Sequence, residues 1–242
     1  LLADGSKIGA LAMTEPACGS DVQAISTTAI KDGNQYSING SKIFITNGQT
    51  ANLIILATKT DKEAGSKGVS LIIVDTDEVE GFRRGKNLKK MGLKGNDTSE
   101  LFFENVKVPL TNLLGNEEGQ GFYQLMKQLP WERLLIGITA LGAIDCALDQ
   151  TIKYVQERRA FGKRVIDFQN TRFKLAEVKT KAEVFRSFVN DCILRLNGNK
   201  LDAATASMAK YWGSQIQNES VDECLQLHGG YGFMTEYPIA RM

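Results

Sequence analysis

The run LAEVKTKAEVFRSFVNDCILRLNG, residues 175–198, decides how this chain is read. Leu175, Val178, Ala182, Phe185, Val189, Cys192 and Leu196 recur at alternating spacings of three and four. That period puts them on one stripe of a helix that faces a partner helix. Asn197-Gly198 suits its C-terminal cap, and Asp202 can accept from the free N–H groups opening the next helix, expected over about 203–226. Two further helices are expected near 121–156, broken at Pro130, and complete a bundle of three or four.

Upstream of Leu114-Gly115 the period is that of strands. Residues 8–13, 36–39, 42–46, 53–58, 69–74 and 101–103 are short, β-branched or aromatic, and bounded by Gly, Asn and Asp. Asn39-Gly40 reads as the type I′ turn of a hairpin joining 36–38 to 42–44. With no long helix between strands, this half is expected to be an antiparallel sandwich or barrel. The fold class is therefore α+β and multi-domain, with a β-domain over 1–115 and a helical bundle over 116–242.

Composition agrees. At roughly 150 residues per domain, 242 residues correspond to about 1.6 domains, so two are expected. A hydrophobic share of 43% with 24% charged residues is that of a globular chain with a sizeable core. Lys+Arg 29 against Asp+Glu 28 gives a net charge of +1, which argues against nucleic-acid binding. No stretch is read as a membrane span of about 20 apolar residues, and no charged-then-apolar leader is seen, so a soluble protein is expected. Four widely spaced cysteines without C-x-x-C point to a reducing compartment. The single histidine, His228, excludes a His₂ or His₃ metal centre within one chain, and no nucleophile elbow accompanies it, so neither a metal site nor hydrolase chemistry is expected. No G-x-G-x-x-G follows a strand and no Walker A loop occurs, which disfavours Rossmann and P-loop enzymes.

Several segments could carry chemistry. The run 13–21, MTEPACGSD, is rich in small hydroxyls, glycine and backbone N–H groups, and could wrap a planar polar ligand or a phosphate; equally it could be a plain connection. Phe44 and Thr46, two apart on one strand, could cover and hydrogen-bond a flat heterocycle, although any half-buried strand alternates in this way. Pro130-Trp131-Glu132-Arg133 is the oddest run. Proline removes the bond to the Met126 carbonyl and is expected to bend the helix one turn before Glu132. Turned inward among Leu129, Trp131, Leu134, Leu135 and Ile136, Glu132 would suit a general base; its alternative is a solvated Glu-Arg pair. Arg158-Arg159 is expected to end a helix and Gln169 to open the next. Arg83, Arg84, Lys86, Lys89, Lys90 and Lys94 could steer a phosphorylated ligand or form a solvated face.

In the order they occur, MTEPACGSD (13–21), KIFITNG (42–48), ERRAFG (157–162) and QLHGGYG (226–232) together resemble the acyl-CoA dehydrogenase family of flavoproteins over nearly the whole chain. The resemblance implies a central β-domain, a C-terminal helical bundle and bound FAD. Leu11, Ala12, Met13, Thr14, Ser20, Phe44, Ile45 and Thr46 would line the flavin, with Thr46 near its N5 and Ser20 near both cofactor and substrate. Arg158, Gln169, Gln226, Leu227, His228, Gly229 and Gly230 would contact FAD across a dimer interface, which puts His228 in a cofactor loop and not in a catalytic relay. The family places its catalytic glutamate in one of two positions. Pro130 to Ile136 resembles the long-chain version, as does 90–104, which implies Glu132 as the base, with Tyr123, Pro130, Trp131 and Arg133 lining the acyl-CoA site.

The implied reaction is α,β-dehydrogenation of a fatty acyl-CoA to a trans-2-enoyl-CoA in β-oxidation, with electron-transfer flavoprotein as acceptor and a homodimer or homotetramer as the assembly. The location is the bacterial cytoplasm or the mitochondrial matrix, according to source. An isovaleryl-type enzyme, a superfamily oxidase or monooxygenase, and an inactive flavin-binding scaffold are the alternatives. Family members are longer at both ends, so the 242 residues are expected to be a fragment of weak activity.

Overall fold

The computed structural model describes residues Leu1–Met242 and divides them into two compact units, Leu1–Met126 and Lys127–Met242.

The first unit is built on a seven-stranded sheet. Its strands are β1 (Gly9–Ala12), β2 (Thr28–Asp32), β3 (Gln35–Thr46), β4 (Leu53–Lys59), β5 (Val69–Asp75), β6 (Phe82–Asn87) and β7 (Thr98–Pro109). The hydrogen-bonded order is β1-β4-β2-β3-β7-β6, with β5 also on β4. β4 (LIILATK) pairs along its length with β5 on one side and with β1, then the start of β2, on the other. A strand so enclosed reads as a continuous apolar run, and Ile54, Leu56 and Ala57 are fully buried. The core adds Tyr36, Ile38, Ile72, Val74, Leu101, Phe103 and Val106.

Three expectations need correction. Antiparallel pairing dominates as expected, but β1 runs parallel to β4, Gly9 opposite Leu53 through Ala12 opposite Leu56. Asn39-Gly40 is no turn, because β3 continues through it with a shift in register between Ile38 and Gly40. Gly40 has φ +152, and a Cβ there would lie 2.7 Å from the Cα of Thr27. The glycine allows close approach to the neighbouring backbone, not chain reversal. The hairpin turn is at Gly33, φ +60, between β2 and β3. The cationic run Arg83, Arg84, Lys86 starts on an edge strand, β6, where Arg83 lies over the Phe102 ring at 4.2 Å and Arg84 donates to the Ala51 carbonyl at 2.7 Å.

Three long helices follow: α1 (Gly121–Glu157), α2 (Gln169–Asn197) and α3 (Ala203–Leu227), with a small hairpin of β8 (Arg159–Ala160) and β9 (Lys163–Arg164) after α1. The two helices expected over 121–156 are one, and Pro130 lies inside it without ending it. α1 also holds a stretch long and apolar enough, by composition alone, to cross a membrane, contrary to the sequence reading. Its Ala140, Leu141, Ile144, Ala147, Leu148 and Val155 are core residues of the second unit. The α2 stripe is buried from Leu175 to Cys192, as its period requires, with Leu196 half-buried at the end. Asp202 caps α3, accepting from the Thr205 N–H at 2.9 Å.

Candidate functional site

In the first unit, β1 delivers the loop 13–21 alongside the end of β3. The Ile43 N–H donates to the Thr14 carbonyl at 2.9 Å, so the two segments expected to bind a flat ligand lie against each other. Beneath them is a buried ion pair. Lys42 Nζ donates to Glu15 Oε1 at 2.8 Å and to the Met13 carbonyl at 2.9 Å. Glu15 also accepts from the Ser26 N–H and hydroxyl at 2.7 and 2.6 Å and from the Thr27 N–H at 2.9 Å. Burial works to raise the Glu15 carboxyl, but the Lys42 charge and these hydrogen bonds outweigh it and hold the group at about 2. Burial pushes the Lys42 ammonium down, against the Glu15 carboxylate, which holds it up.

The register of β3 with β7 shifts between Lys42 and Ile45, and inside that bulge Phe44 is left-handed, φ +60, and 63% exposed. A left-handed phenylalanine costs about 1–2 kcal/mol, and such strain clusters at ligand sites. Ile45 is buried and Thr46 exposed, so Phe44 and Thr46 share the open side. Leu11 and Ser20 are exposed, Met13 and Thr14 half-buried, and Ala12 fully buried. No intrachain hydrogen bond engages the hydroxyls of Thr14, Ser20 or Thr46, or the Thr14 N–H. Neutral donors beside an exposed aromatic ring match the acceptor-rich edge and flat face of an isoalloxazine. Tyr123, also in this unit, is 66% exposed and lines a separate cavity of about 540 Å³ with Lys67 and Gln120.

In the second unit, Arg158, Gln226, Leu227, His228, Gly229 and Gly230 come together around one cavity of about 640 Å³. Tyr154, Ala160, Val165, Tyr231 and Met234, which were not among the expected site residues, complete its wall. Tyr154 is one helical turn before Arg158, the one signal that could have found it. The Arg158 guanidinium lies 5.6 Å from the Tyr231 ring. Gln169 is exposed at the start of α2 and does not line this cavity. His228 is buried, its Nδ1 donating to the Cys224 carbonyl at 2.9 Å and its ring stacked 4.3 Å from Tyr154. These contacts make it part of the cavity wall.

Glu132 is far from that cavity. Arg158 lies 26 positions further on and continues the α1 hydrogen bonding through the Tyr154 carbonyl, so a rise of 1.5 Å per residue separates the two by about 39 Å. Glu132 is exposed, not enclosed, so the apolar surround expected for it is absent from this unit. Nor is it half of a Glu-Arg pair, because Arg133 Nη1 donates to the Ser207 hydroxyl on α3 at 3.1 Å. Glu132, Leu135, Ile136 and Thr139 occupy one exposed helix face. Pro130 and Trp131 line a third cavity, of about 460 Å³, with Leu196 and Leu201.

Residues 10–106 match the acyl-CoA dehydrogenase middle domain and residues 119–242 the acyl-CoA dehydrogenase C-terminal domain. The chain belongs to the acyl-CoA dehydrogenase family. It is 50% identical over 239 residues to the mitochondrial long-chain specific acyl-CoA dehydrogenase of Rattus norvegicus, covering 98% of this chain and 55% of that protein. The acyl-CoA dehydrogenase of Geobacillus kaustophilus superposes with a TM-score of 0.94 at 48% identity, over 98% of this chain and 62% of that one. Butyryl-CoA dehydrogenase of Megasphaera elsdenii does so with the same TM-score of 0.94 at 39% identity, over 99% and 62%. The chain thus spans about half the length of the curated relatives it matches. As an acyl-CoA dehydrogenase family member it has the expected two-part architecture, a sheet domain followed by a helical domain.

Proposed function

We propose that the protein carrying this chain is an FAD-dependent dehydrogenase of fatty acyl-CoA, with Glu132 as its base. The observation that carries this reading is the exposed face of α1, where one carboxylate with no partner in the chain sits beside Leu135 and Ile136. Such a face offers a base to a polar reacting centre and apolar surface to an acyl chain. Glu132 takes the α-proton, and the product is a trans-2-enoyl-CoA. When bound, FAD supplies the acceptor for the β-hydrogen, which leaves as hydride. An α-proton of a thioester is a poor acid, so donors must also meet the thioester oxygen as charge develops there.

In this reading residues 1–115 contribute the flavin and acyl-CoA contacts of the sheet domain, through Leu11, Ala12, Met13, Thr14, Ser20 and Phe44 to Thr46, with Ser20 reaching the substrate too. Residues 116–242 contribute the base, the acyl-CoA lining from Tyr123, Pro130, Trp131 and Arg133, the cavity wall of Arg158 and Gln226 to Gly230, and, outside that wall, Gln169 as a further cofactor contact. Because about 39 Å of helix separates Glu132 from Arg158, one flavin ring cannot meet both within a chain. The Arg158 cavity therefore serves the flavin of a second copy, in a homodimer or homotetramer. Electron-transfer flavoprotein is the expected electron acceptor.

The test is spectral. FAD-loaded protein should bleach when given a fatty acyl-CoA, and Glu132→Gln should keep the flavin while bleaching about 10²–10⁴-fold more slowly. Bleaching of Glu132→Gln at the native rate would remove Glu132 from the role. Hydrogen peroxide in place of carrier reduction would indicate an oxidase, and no turnover with any acyl chain would indicate a scaffold.

A further inference from the structure

Glu15 and Lys42 form a buried ion pair in the first unit that the proposed reaction does not use. A buried ion pair is weak support for stability, because the desolvation of two charges offsets their attraction. What distinguishes this pair is what it holds. Lys42 Nζ is bonded to the Met13 carbonyl, the oxygen of the peptide whose N–H belongs to Thr14. No peptide in the chain is cis. In a trans peptide C=O and N–H point in opposite directions, so a cation on the Met13 oxygen turns the Thr14 N–H away from Lys42. That N–H has no acceptor in the chain. On the other side, Lys42 immediately precedes the bulge in which Ile43 donates to the Thr14 carbonyl and Phe44 turns left-handed. Glu15 is fixed in turn by Ser26 and Thr27.

We propose that Glu15 and Lys42 are positioning residues that lock the Met13–Thr14 peptide with its N–H toward the flavin and seat the Phe44 bulge beside it. The proposal rests on the FAD reading above. Neither residue touches the reacting atoms; each acts by fixing backbone that does.

The discriminating variant is the double substitution Glu15→Gln with Lys42→Met, made in the full-length protein. The introduced amide oxygen can still accept from the Ser26 N–H and hydroxyl, its NH2 taking the place of the oxygen that accepted from Thr27 and Lys42; the introduced thioether chain fills the lysine's volume, and no lone charge is left buried. The cation on the Met13 oxygen is lost, and with it the Thr27 bond that fixes residue 15. FAD affinity by fluorescence titration should fall about tenfold, the worth of one oriented donor, and the visible flavin band should shift. Phe185→Leu, which loosens the second unit alone, should lower the melting temperature without moving either readout. A double variant with wild-type FAD affinity and spectrum would overturn the proposal. Amide hydrogen exchange on the wild type tests it without any variant: FAD should protect the Thr14 amide, and an unprotected Thr14 in flavin-loaded protein would also overturn it. A wild-type protein that takes up no FAD at all would instead remove the cofactor reading, and this proposal with it.

Discussion

Mixed dimers give the sharpest test of a shared active site. Arg158 directly follows α1 and lies about 39 Å along the helix from Glu132, so a flavin beside Glu132 of one copy would meet Arg158 of the other. Glu132→Gln should lower flavin reduction by about 10²–10⁴-fold, or roughly 2.7–5.5 kcal/mol of barrier. It should cost no stability, because Glu132 is exposed and makes no ion pair. Arg158→Ala removes a charged hydrogen-bond donor worth about 1.5–3 kcal/mol and should weaken FAD binding about 10–100-fold. When the two variants are co-expressed in equal amounts, random pairing makes about half the dimers mixed. In a mixed dimer one site carries both substitutions and the other neither. The mixture should therefore regain about one quarter of the wild-type rate, far above either parent. The assay is bleaching by a fatty acyl-CoA at an FAD concentration that saturates wild type but not Arg158→Ala. If each site were built within one chain, no mixed dimer would hold an intact one. A mixture no faster than the mean of its parents would refute the shared site.

Two further outcomes test the fold beneath the site. Gly40→Ala should destabilise by roughly 3 kcal/mol or more in urea, combining a backbone geometry reserved for glycine with a Cβ 2.7 Å from the Thr27 backbone; Gly33→Ala, with φ +60 and open space around it, should cost only about 1–2 kcal/mol. Acid should weaken the first unit through Glu15, whose carboxyl is held at about 2 against an unfolded value of 4.5. Because the folded value is the lower one, this stabilisation is present above pH 4.5 and is lost as pH falls from there towards 2. Glu15→Gln should flatten that part of a plot of urea midpoint against pH.

What could be read from the sequence was what a single period decides. β4 and β5 are near-continuous apolar runs, and the α2 stripe recurs at threes and fours with its burial, so the apolar positions announced them. β2 and β6 were missed because their own residues are mostly polar and their strand state comes from partners, β3 and β7. Asn39-Gly40 misled for a related reason: the local signal for a turn is the need for glycine, and here that need comes from Thr27 on another strand. The site divides in the same way. Loop 13–21 and Phe44 to Thr46 were visible as donor-rich and aromatic segments. The Glu15–Lys42 pair that joins them was not, because its partners are 27 residues apart and only the folded sheet makes them neighbours.

Pro130 shows how a correct physical premise can support the wrong structural expectation. A proline does remove the hydrogen bond to the carbonyl four residues back, and on that ground alone a broken helix is expected. Yet that carbonyl belongs to Met126, the last residue of the first unit, and α1 runs on through Lys127 into the second. The helix persists because its flanks are tied to packed cores, Leu125 in the first unit and Leu134 in the second. The missing bond thus falls where the chain passes from one unit to the other, six residues before Glu132. A residue that costs about 3 kcal/mol inside a regular helix is here held within one continuous helix.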